Sequence, residues 1–374
     1  MDFAARSLPD FPWDQLAPFG DVARAHRDGI IDMSVGTPVD PTPQVIRTAL
    51  ANASDAPGYP TTIGSVEFRQ AAIDWLQRRL GVTGVGLDGV IPTVGSKELV
   101  AWLPTLLGLT SRDVIAIPAT AYPTYDVGAR LAGCKTVTAD SVAELDEAFA
   151  KAEASGRKLA MVWLNSPSNP TGRVTSEGEL AAIVQWAQAR EVIVVSDECY
   201  IELGWEKKPV SLLHPNVAGN QHRGLLLVNS LSKRSNLAGY RVGIVAGDPQ
   251  LIKPILEVRK HAGMIVPAPV QQAAVAAFND DAHVDEQRAC YEKRRTIARE
   301  ALVAAGFRIE HSDAGLYLWV TRDEDCWKTV QWFADRGVLV APGAFYGSAG
   351  EKFVRVALTV SDERVQQLPA RLSS

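Results

Sequence analysis

The chain has 374 residues, 47% hydrophobic and 22% charged, with a formal net charge of −5; this balance fits a globular protein with a large core and room for two domains. The acidic balance and the lack of a basic tract exclude nucleic acid or an anionic membrane as the main partner. Four scattered cysteines, Cys134, Cys199, Cys290 and Cys326, form no C-x-x-C pair, which argues against a disulfide framework and a structural zinc site. No apolar leader follows Met1 and no run of about 18 apolar residues occurs, so a cytoplasmic protein without signal peptide or membrane span is expected.

Residues 1–43 are rich in proline and glycine and read as a segment that wraps the surface. It carries a short helix over 16–26 and a short strand over 30–35 that runs into Gly36-Thr37-Pro38. Bare backbone at Gly36 can approach a ligand closely, although an ordinary turn has the same composition. Pro43 opens a helix that reaches residue 54. The loop 58–64 with Tyr59 follows, then an amphipathic helix over 66–80 whose apolar positions include Phe68, Trp75 and Leu76. Gly84, Gly86 and Gly89 spell G-x-G-x-x-G but precede the apolar run 90–94, whereas a dinucleotide fingerprint must follow a strand and open a helix. The turn Gly95-Ser96-Lys97 does follow that strand and opens a helix over 98–107. Its free N–H groups and helix dipole suit a phosphate, and Ser96 serves equally as a helix cap.

The strand 114–117 leads into the aromatic loop 118–125, where Tyr122 either stacks on a flat ring or simply packs. The strand 159–164 ends in Asn165-Ser166-Pro167-Ser168-Asn169-Pro170-Thr171-Gly172, a loop stiffened by two prolines and two asparagines that offers an amide side chain at the strand's carboxyl end. After a helix over 177–190, the β-branched strand 192–196 ends in Asp197-Glu198-Cys199-Tyr200. An aspartate there needs a facing cation, and a protonated pyridine nitrogen is one. The apolar run 225–228 and the turn 229–232 deliver Lys233; Arg241 and an edge or antiparallel strand over 242–246 follow. Burying an ammonium costs free energy unless it is paired or loses its charge, and imine formation with an aldehyde removes that charge. Ser230-Leu231-Ser232-Lys233 also spells the S-x-x-K of serine acyl-enzymes, but the S-D-N and K-T-G partners of that signature do not occur.

Parallel-type strands near 90, 114, 159, 192 and 225 thus alternate with helices, each with polar residues past its carboxyl end, where open α/β sheets bind ligands. Residues 247–277 read as helix interrupted by prolines, and 281–306 as a long polar helix. A mixed α+β end follows over 307–310, 316–320, 327–336, 338–340 and 353–357. Arg355 stands there among apolar neighbours as an ion-pair member or a fork for a carboxylate. The expected layout is a large domain over 44–278 and a smaller one over 279–374, joined by the N-terminal segment 1–43.

In this order and spacing the motifs resemble the fold-type I, class I/II aminotransferases that depend on pyridoxal 5′-phosphate, along nearly the whole chain. The carrying strings are residues 165–172, Asp197-Glu198-Cys199-Tyr200, Ser230-Leu231-Ser232-Lys233 with Gly239-Tyr240-Arg241-Val242-Gly243, and Arg355. The resemblance implies an α/β fold, with a mostly parallel seven-stranded sheet in the large domain and a smaller α+β domain. It implies that Lys233 joins the cofactor and shuttles the proton, that Asp197 pairs with the pyridine nitrogen, and that Tyr200 and Asn169 bond the phenolic oxygen. Tyr122 would stack on the ring; Ser96, Lys97, Ser230 and Arg241 would hold the phosphate. Tyr59 would reach the phosphate of a neighbouring subunit, which implies a homodimer. Arg355, with Asn169 and the Gly36 backbone, would clamp the α-carboxylate of amino-acid and 2-oxo-acid substrates, glutamate and 2-oxoglutarate among them; no metal is implied.

The opening of the chain is similar to that of the short actinobacterial N-succinyldiaminopimelate aminotransferases of lysine and cell-wall precursor synthesis. Lys97 and Arg24 are the candidates for reading a distal succinyl carboxylate. The chain departs from the common family pattern at Gly95-Ser96-Lys97, where a glutamine-containing turn is usual, and at Tyr346-Gly347, where Phe-Gly is common. Alternatives are an aminotransferase of another amino acid and a C–S lyase acting by β-elimination, which the same residues would serve. A regulator built on this fold would add a DNA-binding module, and no basic helix-turn-helix is visible.

Overall fold

The computed structural model describes residues 8–9, 11–219 and 221–373; residues 1–7 and 10 of the N-terminal segment lie outside them. The β-branched runs assemble into a seven-stranded sheet. Lys135–Thr138, Asp113–Ile117, Lys158–Asn165, Ile193–Asp197 and Leu225–Ser230 lie side by side and parallel. Gly243–Gly247 then runs antiparallel to Leu225–Ser230, and Val90–Thr93 closes the sheet as its antiparallel neighbour. The mostly parallel α/β expectation therefore holds, with helices on both faces.

Two details differ from the sequence reading. The run expected at 242–246 is antiparallel but not an edge: it lies between two strands with every residue buried. A Cβ at Gly243 would strike the Asn229 carbonyl and one at Gly247 the Leu225 carbonyl, so glycine at both ends lets it fit. Val90–Thr93, grouped above with the parallel strands, is the edge instead. The opposite edge, Lys135–Thr138, gave no sequence signal because its residues are exposed or half-buried and no apolar run marks it.

The helices follow their sequence signals with shifted ends. Ser65 caps Val66–Leu80 by accepting the Phe68 N–H, and Gly81 ends it in the left-handed conformation (φ 68°). The turn expected at 95–97 is itself the first turn of helix Gly95–Leu106. The helical stretch after residue 247 divides into Pro249–Ala262 and Ala268–Asn279. The break comes at Gly263 (φ 68°) and not at Pro254, which stays inside the first helix.

A second sheet has the order Ala341–Pro342, Phe353–Ala357, Tyr317–Thr321, Arg308–Glu310, all antiparallel, and packs with the long helix Ala282–Ala304. The N-terminal strand shrinks to Ile31–Asp32, which pairs in parallel with Val338–Leu339. Leu16, Ala23, Ile31 and Met33 share one apolar cluster with Leu318, Phe333 and Val356. Arg294 ties this arrangement together by bonding Asp40 at 2.6 Å and Asp362 at 2.7 Å. No helix among the described residues is long and apolar enough to cross a membrane.

Phe278 anchors one large-sheet core, fully buried with its ring 5.8 Å from Phe68 and 5.4 Å from Trp75. Phe278→Ala is expected to lower the unfolding free energy by about 3–5 kcal/mol, read as a lower midpoint in urea.

Candidate active site

Three neighbouring parallel strands end on Asn165, Asp197 and Ser230, with Asn165 directly opposite Asp197. A cavity of about 320 Å³ opens there, a size suited to a small-molecule ligand. Asn169, Asp197, Tyr200, Ser230 and Lys233 line it from the strand ends and loops of the large sheet. Ser96, Lys97 and Tyr122 line it from helix openings, Arg241 from the end of the turn Ala238–Tyr240, and Gly36 and Arg355 from the N-terminal segment and the second sheet. The sequence had singled out all eleven.

Asp197 is buried and accepts hydrogen bonds from the Tyr125 hydroxyl (3.0 Å) and the Cys199 N–H (3.2 Å). Burial raises its pKa, and the bonds from Cys199 and Tyr125 offset only part of that rise. A cation facing this carboxyl would favour its charged form. Asn165 shapes this floor: its amide donates to the Asp197 carbonyl at 2.9 Å, and its oxygen accepts the Asn169 N–H at 2.8 Å.

Lys233 sits in the short helix Leu231–Arg234, capped by Ser230, whose hydroxyl accepts the Ser232 N–H at 3.2 Å. Its ammonium donates to the Gly36 carbonyl. Burial lowers its pKa, and the positive charges of Arg355 and Arg241 push the same way. Both effects favour the neutral amine, the form that attacks a carbonyl.

Arg241 adopts a left-handed backbone (φ 55°), and its guanidinium lies so close to Gly95 that a Cβ there would collide. This brings a cation to the first turn of Gly95–Leu106, whose amides have no partners within the helix, and so builds an anion cradle. Arg355 is only 3% exposed. It donates to the Asn169 side-chain oxygen at 2.9 Å and the Ser34 carbonyl at 2.6 Å, and its Nε is buried without a hydrogen-bond partner among the described residues. Tyr317 lies under the guanidinium at 4.0 Å.

Two candidates lie elsewhere. Tyr59 is 102% exposed and outside the cavity. Arg24 pairs with Asp21 at 2.6 Å on an exposed helix face and does not line the cavity. Lys97 lies at the mouth, its Nζ 5.5 Å from the Phe11 ring centroid. Sequence reasoning missed Tyr125, Tyr317, Trp13 and Ser232. Tyr125 stood in an aromatic loop already noted, but nothing local says that its hydroxyl reaches Asp197, 72 residues away.

Among the described residues no group of three histidine, cysteine or acidic side chains could hold a metal ion. The donor set does fit pyridoxal 5′-phosphate. It offers an anion cradle at one side, a buried carboxylate for a ring nitrogen, a poised amine for the aldehyde and an arginine with an unpartnered nitrogen for a substrate carboxylate.

The protein-family model for aminotransferase class I and II matches residues 28–372. The chain is similar to the 4-dedimethylamino-4-oxo-anhydrotetracycline transaminase OxyQ of Streptomyces rimosus, 57% identical over 98% of this chain and 100% of that one. It is also similar to the LL-diaminopimelate aminotransferase of Gloeobacter violaceus, 34% identical over 100% of this chain and 98% of the other. Among solved structures it resembles an aminotransferase from Neisseria meningitidis, with a TM-score of 0.87, 29% identity and 98% of each chain covered.

Glu198, next to Asp197, is fully buried and accepts the Leu212 N–H at 2.7 Å. Burial pushes its carboxyl from the ordinary 4.5 up to about 8. The folded chain keeps a proton that the unfolded chain releases, so stability from this group falls as pH rises from about 4.5 to about 8. Glu198→Gln is expected to lose less stability than the parent between pH 5 and 8, measured by urea unfolding at both pH values.

Proposed function

The chain belongs to the class I and II aminotransferases, which use pyridoxal 5′-phosphate, and from that premise we propose that it exchanges the amino group of glutamate with an N-succinylated oxo-pimelate, as an N-succinyldiaminopimelate:2-oxoglutarate aminotransferase does. The observation that carries the transamination chemistry is the single cavity shared by Lys233, Asp197 and Arg355. When bound, pyridoxal phosphate supplies an electrophilic carbonyl and an electron-accepting ring.

The side chains divide the remaining work. Lys233, its charge disfavoured by burial, is the attachment point and then carries the proton to and from the substrate α-carbon through Nζ. Asp197 keeps the ring nitrogen protonated, and Tyr125 and the Cys199 N–H hold that carboxylate in place. Tyr200 and Asn169 bond the phenolic oxygen, and Tyr122 stacks on the ring. Ser96, Lys97 through its backbone, Ser230 and Arg241 hold the phosphate. Arg355 forks onto the substrate α-carboxylate, with Asn169 and the Gly36 backbone beside it.

Support for a substrate with a second, distant carboxylate comes from Lys97. It lines the cavity, is exposed at its mouth and has no ion pair among the described residues. The 34% identity to an LL-diaminopimelate aminotransferase points the same way. A second reading, amination of a fused-ring ketone, is supported by the 57% identity to the tetracycline-pathway transaminase. We also propose a homodimer in which the exposed Tyr59 reaches the neighbouring site. A division into a 44–278 body and a small domain of 1–43 with 279–374 is supported by the apolar cluster that the two outer segments share.

A panel of oxo acids offered with glutamate separates the readings. The succinylated oxo-pimelate is expected to give 2-oxoglutarate fastest. Preferred amination of the oxo-anhydrotetracycline favours the second reading, and release of pyruvate and ammonia from cystathionine without an acceptor replaces both with a lyase. Lys233→Ala is expected to lower the transamination rate about 10²–10⁴-fold, measured with saturating cofactor.

A further inference from the structure

We propose that Tyr317 is a positioning residue for this reaction: its hydroxyl sets the direction in which the Tyr200 hydroxyl offers its proton. The inference rests on the reading that Tyr200 bonds the phenolic oxygen of the cofactor. Tyr317 begins strand Tyr317–Thr321 of the four-stranded sheet, whereas Tyr200 follows strand Ile193–Asp197 of the seven-stranded sheet. The two hydroxyls meet across the cavity at 3.0 Å, with both side chains buried and the rings edge-on at 5.6 Å.

One proton lies between two such oxygens, and either can donate it. Tyr200 can give its own proton to a third atom only if it accepts the shared one from Tyr317. The order is then Tyr317 O–H to Tyr200 O–H to the acceptor, and a hydroxyl that accepts one hydrogen bond donates a stronger second one. Tyr317 is held for this task on two sides. Its hydroxyl closes against Gly36, where a Cβ would collide with it, and its ring lies under the Arg355 guanidinium at 4.0 Å. The carbonyl of the same Gly36 receives the Lys233 ammonium. Glycine at position 36 therefore lets the tyrosine and the lysine converge on one point of the N-terminal segment.

A stronger bond to the phenolic oxygen favours the state in which that oxygen is fully anionic. It thereby lowers the pH at which the visible absorbance of the bound cofactor changes. The ionisable groups that face the tyrosine pair are Lys233, Arg355, Cys199, Tyr122, Tyr291 and Tyr346. Lys233 is among those that feel the Tyr317 hydroxyl directly, so the variant that also lacks the Tyr200 hydroxyl is what isolates the route through Tyr200.

Tyr317→Phe removes that oxygen and keeps the ring under Arg355. In the holoenzyme, titrated by absorbance, its pH midpoint is expected to rise by about 0.5 pH unit, roughly threefold in proton affinity, with the KM for glutamate unchanged. Tyr200→Phe is expected to raise the midpoint further, and adding Tyr317→Phe to it should move the midpoint no more, because the second hydroxyl acts only through the first. A Tyr317→Phe midpoint equal to the parent's, or a further rise in the double variant, overturns the proposal. A parental midpoint in Tyr200→Phe overturns instead the reading that puts Tyr200 on the phenolic oxygen.

Discussion

A half-buried amine and a buried carboxyl that never meet organise this molecule. Lys233 and Asp197 face one cavity, yet neither forms an ion pair among the described residues. Burial shifts each toward its neutral form, the amine downward and the carboxyl upward. Keeping two such groups apart in a low-dielectric interior is unfavourable in the protein alone. A ligand that offers a carbonyl to one and a ring cation to the other relieves both at once, and the rest of the fold keeps that geometry open.

Its means are local and rigid. Adjacent parallel strands set the spacing of Asn165, Asp197 and Ser230, because register in a sheet leaves no slack between neighbours. Lys233 is followed by Arg234, a buried guanidinium paired with Glu202 and lying 5.2 Å over the Trp75 ring. Glu202 also pairs with Arg79 at 2.8 Å, and Arg79 bonds Asp285 on the long helix at 2.8 Å. The backbone that carries Lys233 is thus tied by charge to helix Val66–Leu80 and to the long helix Ala282–Ala304.

The second sheet and the N-terminal segment close the cavity with four hydrogen bonds: Arg355 to Asn169 and to Ser34, Lys233 to Gly36, and Tyr317 with Tyr200. Each joins residues far apart in the chain. A substrate carboxylate that takes Arg355 competes with the Asn169 oxygen and the Ser34 carbonyl for its N–H groups. On the proposed role of Arg355 as the carboxylate fork, substrate binding would thereby be coupled to the contacts between the two sheets.

Three residues that the fold brings to one cavity, Asp197, Lys233 and Arg355, were legible in the sequence because each breaks a local rule. Asp197 ends an apolar strand, Lys233 follows another, and Arg355 interrupts a third, so apolar runs and their polar exceptions sufficed to find them. The helix opening at Gly95-Ser96-Lys97 was legible too, since a strand, a bare turn and a helix succeed one another within a few residues. Only the tertiary structure decided what depends on pairing across long separations. It put Gly243–Gly247 inside the sheet and Lys135–Thr138 at its edge. It also brought the Tyr125 hydroxyl to Asp197 and that of Tyr317 to Tyr200, and left Arg24 on the surface with Asp21. The physical reason is that burial is written in local periodicity, whereas strand order and the reach of a side chain depend on partners that are neighbours only once the chain has folded.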